Sequence, residues 1–159
     1  MIVCKRTDSD NPDFIQLVKK LDALLRHLDG EDHAFYAQFN KIDMLRNAVV
    51  VYEGETAIGC GAFKKYDDHT VEIKRMFVSD EHRQKGAATK ILLELEAWAA
   101  EEGFTRAILE TGIRQPEAIS LYGKRGYVRM ENFGQYAGVG NSVCFEKDLR
   151  TDMPNPGVL

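Results

Sequence analysis

The chain has 159 residues, 44% hydrophobic and 29% charged, with a formal net charge of −4 and a pI near 5.6. That length supports one domain with a sizeable core and no covalent staples, and the acidic balance argues against non-specific nucleic-acid binding. No apolar run approaches the roughly 20 residues of a membrane span, and Met1-Ile2-Val3-Cys4-Lys5-Arg6 has no signal-type apolar core. No membrane association and a cytoplasmic location are expected.

Residues 2–6 read as a short strand. Asn11-Pro12 looks like a helix start, with asparagine as cap and proline in the first turn. Phe14, Leu17, Val18, Leu21, Leu24, Leu25 and Leu28 follow at helical spacing, and the helix should end near Asp29-Gly30. Glu31 to Asn47 has no clean period and is expected to be a short helix or an irregular loop, rich in aromatics (Phe35, Tyr36, Phe39). Ala48 to Tyr52 is a buried-type strand. A turn at Glu53-Gly54-Glu55 leads to a hairpin partner, Thr56 to Lys65. Inside that partner Gly59 and Gly61 flank Cys60, a sign of a bulge or a close backbone approach.

Val71 to Val78 is the central strand, followed by a polar turn and a helix through Ile91, Leu92, Leu95 and Trp98. Glu72, Lys74 and Arg75 break strict alternation, so a bulge is expected near Met76. Gly103 should cap the helix. Further expected elements are a strand over Thr105–Thr111, a helix over Glu117–Arg125, a strand from Tyr127, a loop over Gly134–Gly140 and a last strand over Asn141–Leu149. The result is an α/β (α+β) mixed sheet with helices on both faces, one domain over residues 1–150 and a frayed tail over 151–159. Cys4, Cys60 and Cys144 are far apart in apolar, strand-like contexts and read as reduced thiols. His27, His33, His69 and His82 lack metal-ligand spacing, so no metal is expected.

The loop Arg83-Gln84-Lys85-Gly86-Ala87-Ala88 joins the central strand to its helix. Unpaired N–H groups at a helix start and the helix dipole favour an anion there. The small residues permit close approach, and Arg83 and Lys85 add positive charge. The loop lacks the Gly-Lys-Ser/Thr of a P-loop and the spaced glycines of a dinucleotide fingerprint.

Arg-x-x-Gly-x-Ala after a strand resembles the pyrophosphate loop of the GNAT superfamily, the acetyl-CoA-dependent N-acetyltransferases. Gln115-Pro116-Glu117-Ala118-Ile119-Ser120-Leu121-Tyr122-Gly123-Lys124-Arg125-Gly126-Tyr127 resembles the family's second signature, with Gln115 where asparagine is more usual. The element order up to about Leu149 is also similar. Glu72 to Val78, Glu110-Thr111-Gly112 and Cys144 to Leu149 resemble a bacterial subgroup of uncharacterised small acetyltransferases.

The resemblance implies a GNAT-like sheet with splayed middle strands and acetyl-CoA as co-substrate. It implies transfer of the acetyl group to a primary amine of a small molecule by direct attack in a ternary complex. Arg83, Gln84, Lys85, Gly86, Ala87, Ala88 and Thr89 would form the pyrophosphate cradle. Met76, Phe77 and Val78 would line the pantetheine arm, with Gln115, Ala118 and Tyr122 contributing from the second signature. Tyr122 is the expected general acid. Glu72 is the expected base, with Glu110 as its rival, and either carboxylate could instead pair with Lys74 or Arg75. His33, Tyr36, Glu72, Thr111, Gln135 and Tyr136 are the expected acceptor-site residues. The acceptor class stays open: Lys74, Arg75 and Arg114 near carboxylates would suit a small zwitterion, whereas a site dominated by Glu72 and Glu110 would suit a cationic amine. The alternative function is a non-catalytic acyl-CoA-binding sensor with the same fold. A homodimer is possible.

Overall fold

In a computed structural model, residues 1–29 and 44–152 are described. Seven strands form one sheet: β1 (Ile2–Thr7), β2 (Asn47–Glu53), β3 (Thr56–Lys65), β4 (Thr70–Val78), β5 (Arg106–Gly112), β6 (Val128–Met130) and β7 (Ser142–Asp148). Their spatial order is β1-β2-β3-β4-β5-β7-β6. Only β4 and β5 pair in parallel; the other neighbours are antiparallel. Among the described residues, three helices accompany them: α1 (Pro12–Asp29), α2 (Ala87–Glu101) and α3 (Pro116–Lys124). Helix α2 is the crossover that the parallel β4–β5 pair requires.

The helix starts follow the local chemistry. Asn11 Oδ1 accepts the backbone N–H groups of Asp13 (2.8 Å) and Phe14 (3.1 Å), a cap that contributes about 1 kcal/mol. Phe14, Leu17, Val18 and Leu21 of α1 are buried. Phe14, Leu17 and Val18 pack on Ala48, Val50, Cys60 and Ala62. On the opposite face of the sheet, Ile91, Leu92 and Leu95 of α2 and Tyr122 of α3 join Val49, Phe63, Ile73, Leu109 and Phe145. Beyond α1, a 3-10 turn at Gly134–Tyr136 covers Ile108 and Cys144 with Phe133 and Tyr136. Among the described residues no helix is long and apolar enough to cross a membrane.

Two features open the sheet at its centre. The β4–β5 pairing runs from Thr70↔Arg106 to Ile73↔Leu109 and stops. Beyond that point β4 continues against β3 alone and β5 against β7 alone. At the same level β4 bulges: Cys60 pairs with Phe77 and Ala62 with Lys74, so Arg75 and Met76 together face Gly61. Arg75 takes a positive φ of 61°, which costs about 1–3 kcal/mol for a side-chain-bearing residue. Its guanidinium is buried and held by Asp22 of α1 at 3.0 Å, and its carbonyl accepts the Cys60 thiol at 3.4 Å. Gly61 lies close beneath α2: a Cβ there would stand 2.7 Å from both Ile91 Cγ2 and Met76 Sδ. The close approach and the bulge expected from sequence thus occur at one place.

Candidate active site

The fork between β4 and β5 becomes a cleft of about 120 Å³. Glu72, Lys74, Arg75 and Met76 line it from β4, Glu110 and Thr111 from β5, and Gln115, Ala118 and Tyr122 from the start and middle of α3. Leu21 and Leu25 of α1 and Tyr136 complete the wall. Tyr122 belongs to the α2–α3 face of the sheet, and Tyr136 to the α1 face. Register puts Glu72 beside Ile108, and alternation adds Lys74 and Glu110 to the same, α1-side, face. The cleft therefore passes through the sheet and is addressed by tyrosines from both sides.

Tyr122 is buried, with its ring against Tyr127 (centroids 5.8 Å apart) and Phe145 (6.0 Å). Burial raises its pKa above the ordinary tyrosine range, and the charge of Glu110 adds to the rise. The folded environment therefore holds the hydroxyl protonated. Among the described residues no group hydrogen-bonds that hydroxyl, which leaves it for a ligand in the cleft. Tyr136 is shifted the same way by burial, then by Glu110 and Glu72. Both carboxylates thus lie near Tyr136, and Glu110 also reaches Tyr122.

Glu72 is buried, and the Lys74 ammonium stands 3.6 Å from its Oε2. The structural pairing weighed for Glu72 is therefore present. Burial lowers the Lys74 pKa, and Glu72 opposes that shift. Arg75 is occupied by Asp22, while Arg114 donates to the Leu28 carbonyl at 3.2 Å and ties the β5–α3 loop to the end of α1. Thr111 lines the cleft, but alternation puts it on the face of Leu109, toward Tyr122 rather than beside Glu72.

The Arg83–Ala88 loop lies at the far end of β4. Gln84 and Gly86 both have positive φ, 65° and 80°. Gly86 precedes α2 with no side-chain cap, and the first turn of α2 carries no acid. Such a helix start presents free N–H groups to an anion. Arg83 meets Asp80 at 3.0 Å and Glu117 at 3.6 Å, and Lys85 meets Glu53 at 3.3 Å. These are exposed pairs that a phosphate can displace at little cost. Met76, Phe77 and Val78 run along the part of β4 that β5 has left, so that edge is free to pair with an amide-bearing ligand. Thr89 is half-buried in the first turn of α2.

His33 and Tyr36, expected at the acceptor side, lie outside the described residues, as does residues 153–159 of the tail. Leu21 and Leu25 were missed as site residues: their helical spacing marks an apolar stripe but not which part of it overhangs the fork. Cys60 and Cys144 are buried free thiols and Cys4 is half-buried, with burial pushing Cys60 up to about 12. Among the described residues no cluster of His, Cys, Asp and Glu could hold a metal ion.

The parallel strands thus part into a cleft, with an uncapped helix start beyond the end of β4. The comparisons make the class specific: the family model for the acetyltransferase (GNAT) family matches residues 15–127, and the chain belongs to that family. The chain is accordingly an acyltransferase of the acetyl-CoA-dependent class. It is 32% identical over 138 residues to an IAA acetyltransferase of Azospirillum brasilense, covering 85% of this chain and 90% of that protein. It is 37% identical over 100 residues to the uncharacterised N-acetyltransferase YsnE of Bacillus subtilis, covering 62% of this chain and 66% of that one. A provisionally named acyl-CoA N-acyltransferase from Klebsiella pneumoniae superposes with a TM-score of 0.78 at 29% identity, over 94% of this chain and 98% of its own.

Proposed function

We propose that the protein transfers the acetyl group of acetyl-CoA to the primary amine of a small molecule, by direct attack while both substrates are bound. The observation that carries this reading is the cleft through the sheet at the β4–β5 fork, with Tyr122 on one side and Glu72 and Glu110 on the other. Each half of the reaction then has its own face. The diphosphate of coenzyme A sits on the start of α2 beside Arg83 and Lys85, the pantetheine amides pair with β4 from Met76 to Val78, and the thioester reaches the fork. Gln115 and Ala118 line the cofactor side. Glu72 and Tyr136 line the acceptor side.

The amine arrives as an ammonium, which cannot attack. A carboxylate at the fork, Glu72 or Glu110, takes one proton directly or through water. The amine nitrogen then bonds to the thioester carbonyl carbon, and the C–S bond breaks with its electron pair going to sulfur. In this reading backbone N–H groups of Met76 to Val78 polarise that carbonyl. Tyr122 donates its proton to the departing sulfur. The second proton lost by the amine nitrogen restores the tyrosine, and the carboxylic acid releases the first proton to solvent, so the enzyme ends as it began.

Thermal unfolding with acetyl-CoA, free coenzyme A and NAD tests the first step. A ligand that binds only the folded state, at about a hundred times its dissociation constant, stabilises by about 2.7 kcal/mol. The expected result is a clear shift with acetyl-CoA, none with NAD, and release of free thiol when amines are added. No shift with any acyl-CoA at millimolar concentration refutes the reading.

A further inference from the structure

Lys74 lines the cleft on the face that carries Glu72. Its side chain is 12% exposed, and its nearest anionic partner among the described residues, Glu72, is 3.6 Å away. A well-formed N–H···O bond is about 2.7–3.2 Å long, so among the described residues the Glu72 pair is a loose one and leaves donors of this ammonium to the cleft. The lowered proton affinity of Lys74 has burial as its first cause, in keeping with a charge short of partners. In a cleft of about 120 Å³, a bound acceptor displaces the water that would otherwise serve those donors. Glu72 answers part of this charge, and a buried cation is stabilised further by a second, closer anion, which an acceptor carboxylate would supply.

The two carboxylates are not equivalent. Glu72 precedes the last paired residues of the fork, Ile73 and Leu109, and lies beside Lys74; Glu110 is the first residue of β5 beyond them. Where the strands separate, Glu110 stands across the opening from Lys74. The field of Glu110 reaches Tyr122 as well as Tyr136, whereas Glu72 acts on Tyr136 from the acceptor side. Glu110 therefore occupies the position where an amine meets the thioester, and Glu72 steadies Lys74.

We propose that the acceptor is a short amino acid, whose carboxylate is received by Lys74 and whose amine is directed into the fork by Glu110. This rests on the acetyltransferase reading above and adds the substrate class to it. A diamine or polyamine would press a second ammonium against Lys74, and a simple alkylamine would leave Lys74 unmatched. Leu21 and Leu25 provide apolar wall for a short side chain.

The test uses the full chain and acetyl-CoA. A panel of α-amino acids and β-alanine is compared with the matching amides, decarboxylated amines and polyamines, following thiol release. In the wild type at least one amino acid should exceed its own amide in kcat/KM by tenfold or more. In Lys74→Met the ratio of kcat/KM for that acid over its amide should fall at least tenfold, mainly through KM. In Glu110→Gln kcat should fall for acid and amide together. Turnover of amines or polyamines with none of amino acids overturns the substrate class and leaves the transferase intact, as does an acid/amide ratio that Lys74→Met does not change. For binding without turnover, thermal unfolding in the presence of coenzyme A gives the second readout, and absence of protection by every amino acid in the panel also overturns the proposal. Failure to bind acetyl-CoA at all is a separate result and refutes the underlying reading.

Discussion

Tyr122→Phe separates chemistry from structure at this site. The hydroxyl has no hydrogen-bond partner among the described residues, while the ring packs on Tyr127 and Phe145 at 5.8 and 6.0 Å. Removing the oxygen keeps those ring contacts, so stability should change by no more than about 1 kcal/mol. The expected loss is catalytic. A positioned general acid contributes about 10²–10⁴-fold, but a thiolate with a pKa of about 8.5 is already a good leaving group. The effect therefore lies at or just below the low end of that range: kcat should fall about 10- to 100-fold, or about 1.4–2.7 kcal/mol in the barrier. Affinity for acetyl-CoA, read by thermal shift, should be preserved. Burial and Glu110 raise the Tyr122 pKa, so its proton-donating form persists below that value and is lost only above it. Wild-type kcat should show no basic limb from this group below about pH 10. An unchanged kcat in a folded, acetyl-CoA-binding variant refutes the assignment of Tyr122 as the acid, and a large stability loss refutes the claim that its hydroxyl serves only the cleft.

Two stability predictions accompany it. Lys147 Nζ lies 2.9 Å from Glu96 Oε1, both side chains are 6% exposed, and the Tyr127 hydroxyl donates to Glu96 Oε2 at 2.9 Å. Lys147→Met strands a buried carboxylate and should cost about 3–5 kcal/mol in urea unfolding. Adding Glu96→Gln to it should recover part of the loss, and a single-variant cost below about 1 kcal/mol contradicts the burial argument. Gly61→Val should destabilise by about 1–3 kcal/mol, because its Cβ would press on backbone-anchored Ile91 and on Met76 at the bulge. A neutral result in the same assay would mean that α2 is free to move away from β3.

The sequence determined the elements because their signals are local. Asn11-Pro12 and the spacing of Phe14, Leu17, Val18 and Leu21 dictate α1 without help from the rest of the chain. The broken alternation at Glu72, Lys74 and Arg75 marks a bulge because a two-residue period cannot pass through it unchanged. The Arg83–Ala88 loop and the Gln115–Tyr127 signature were enough to point to the family. Tertiary structure decided what depends on two segments meeting. Glu72 and Glu110 look alike in sequence, and only the β4–β5 register puts one beside Lys74 and the other beyond the parting of the strands. The raised pKa of Tyr122 is decided in the same way: desolvation and the charge of Glu110 are properties of the packed cleft, not of the residue. Leu21 and Leu25 follow the same rule, since a helix's period shows which face is apolar but not which turn hangs over an opening in a sheet formed about 50 residues later.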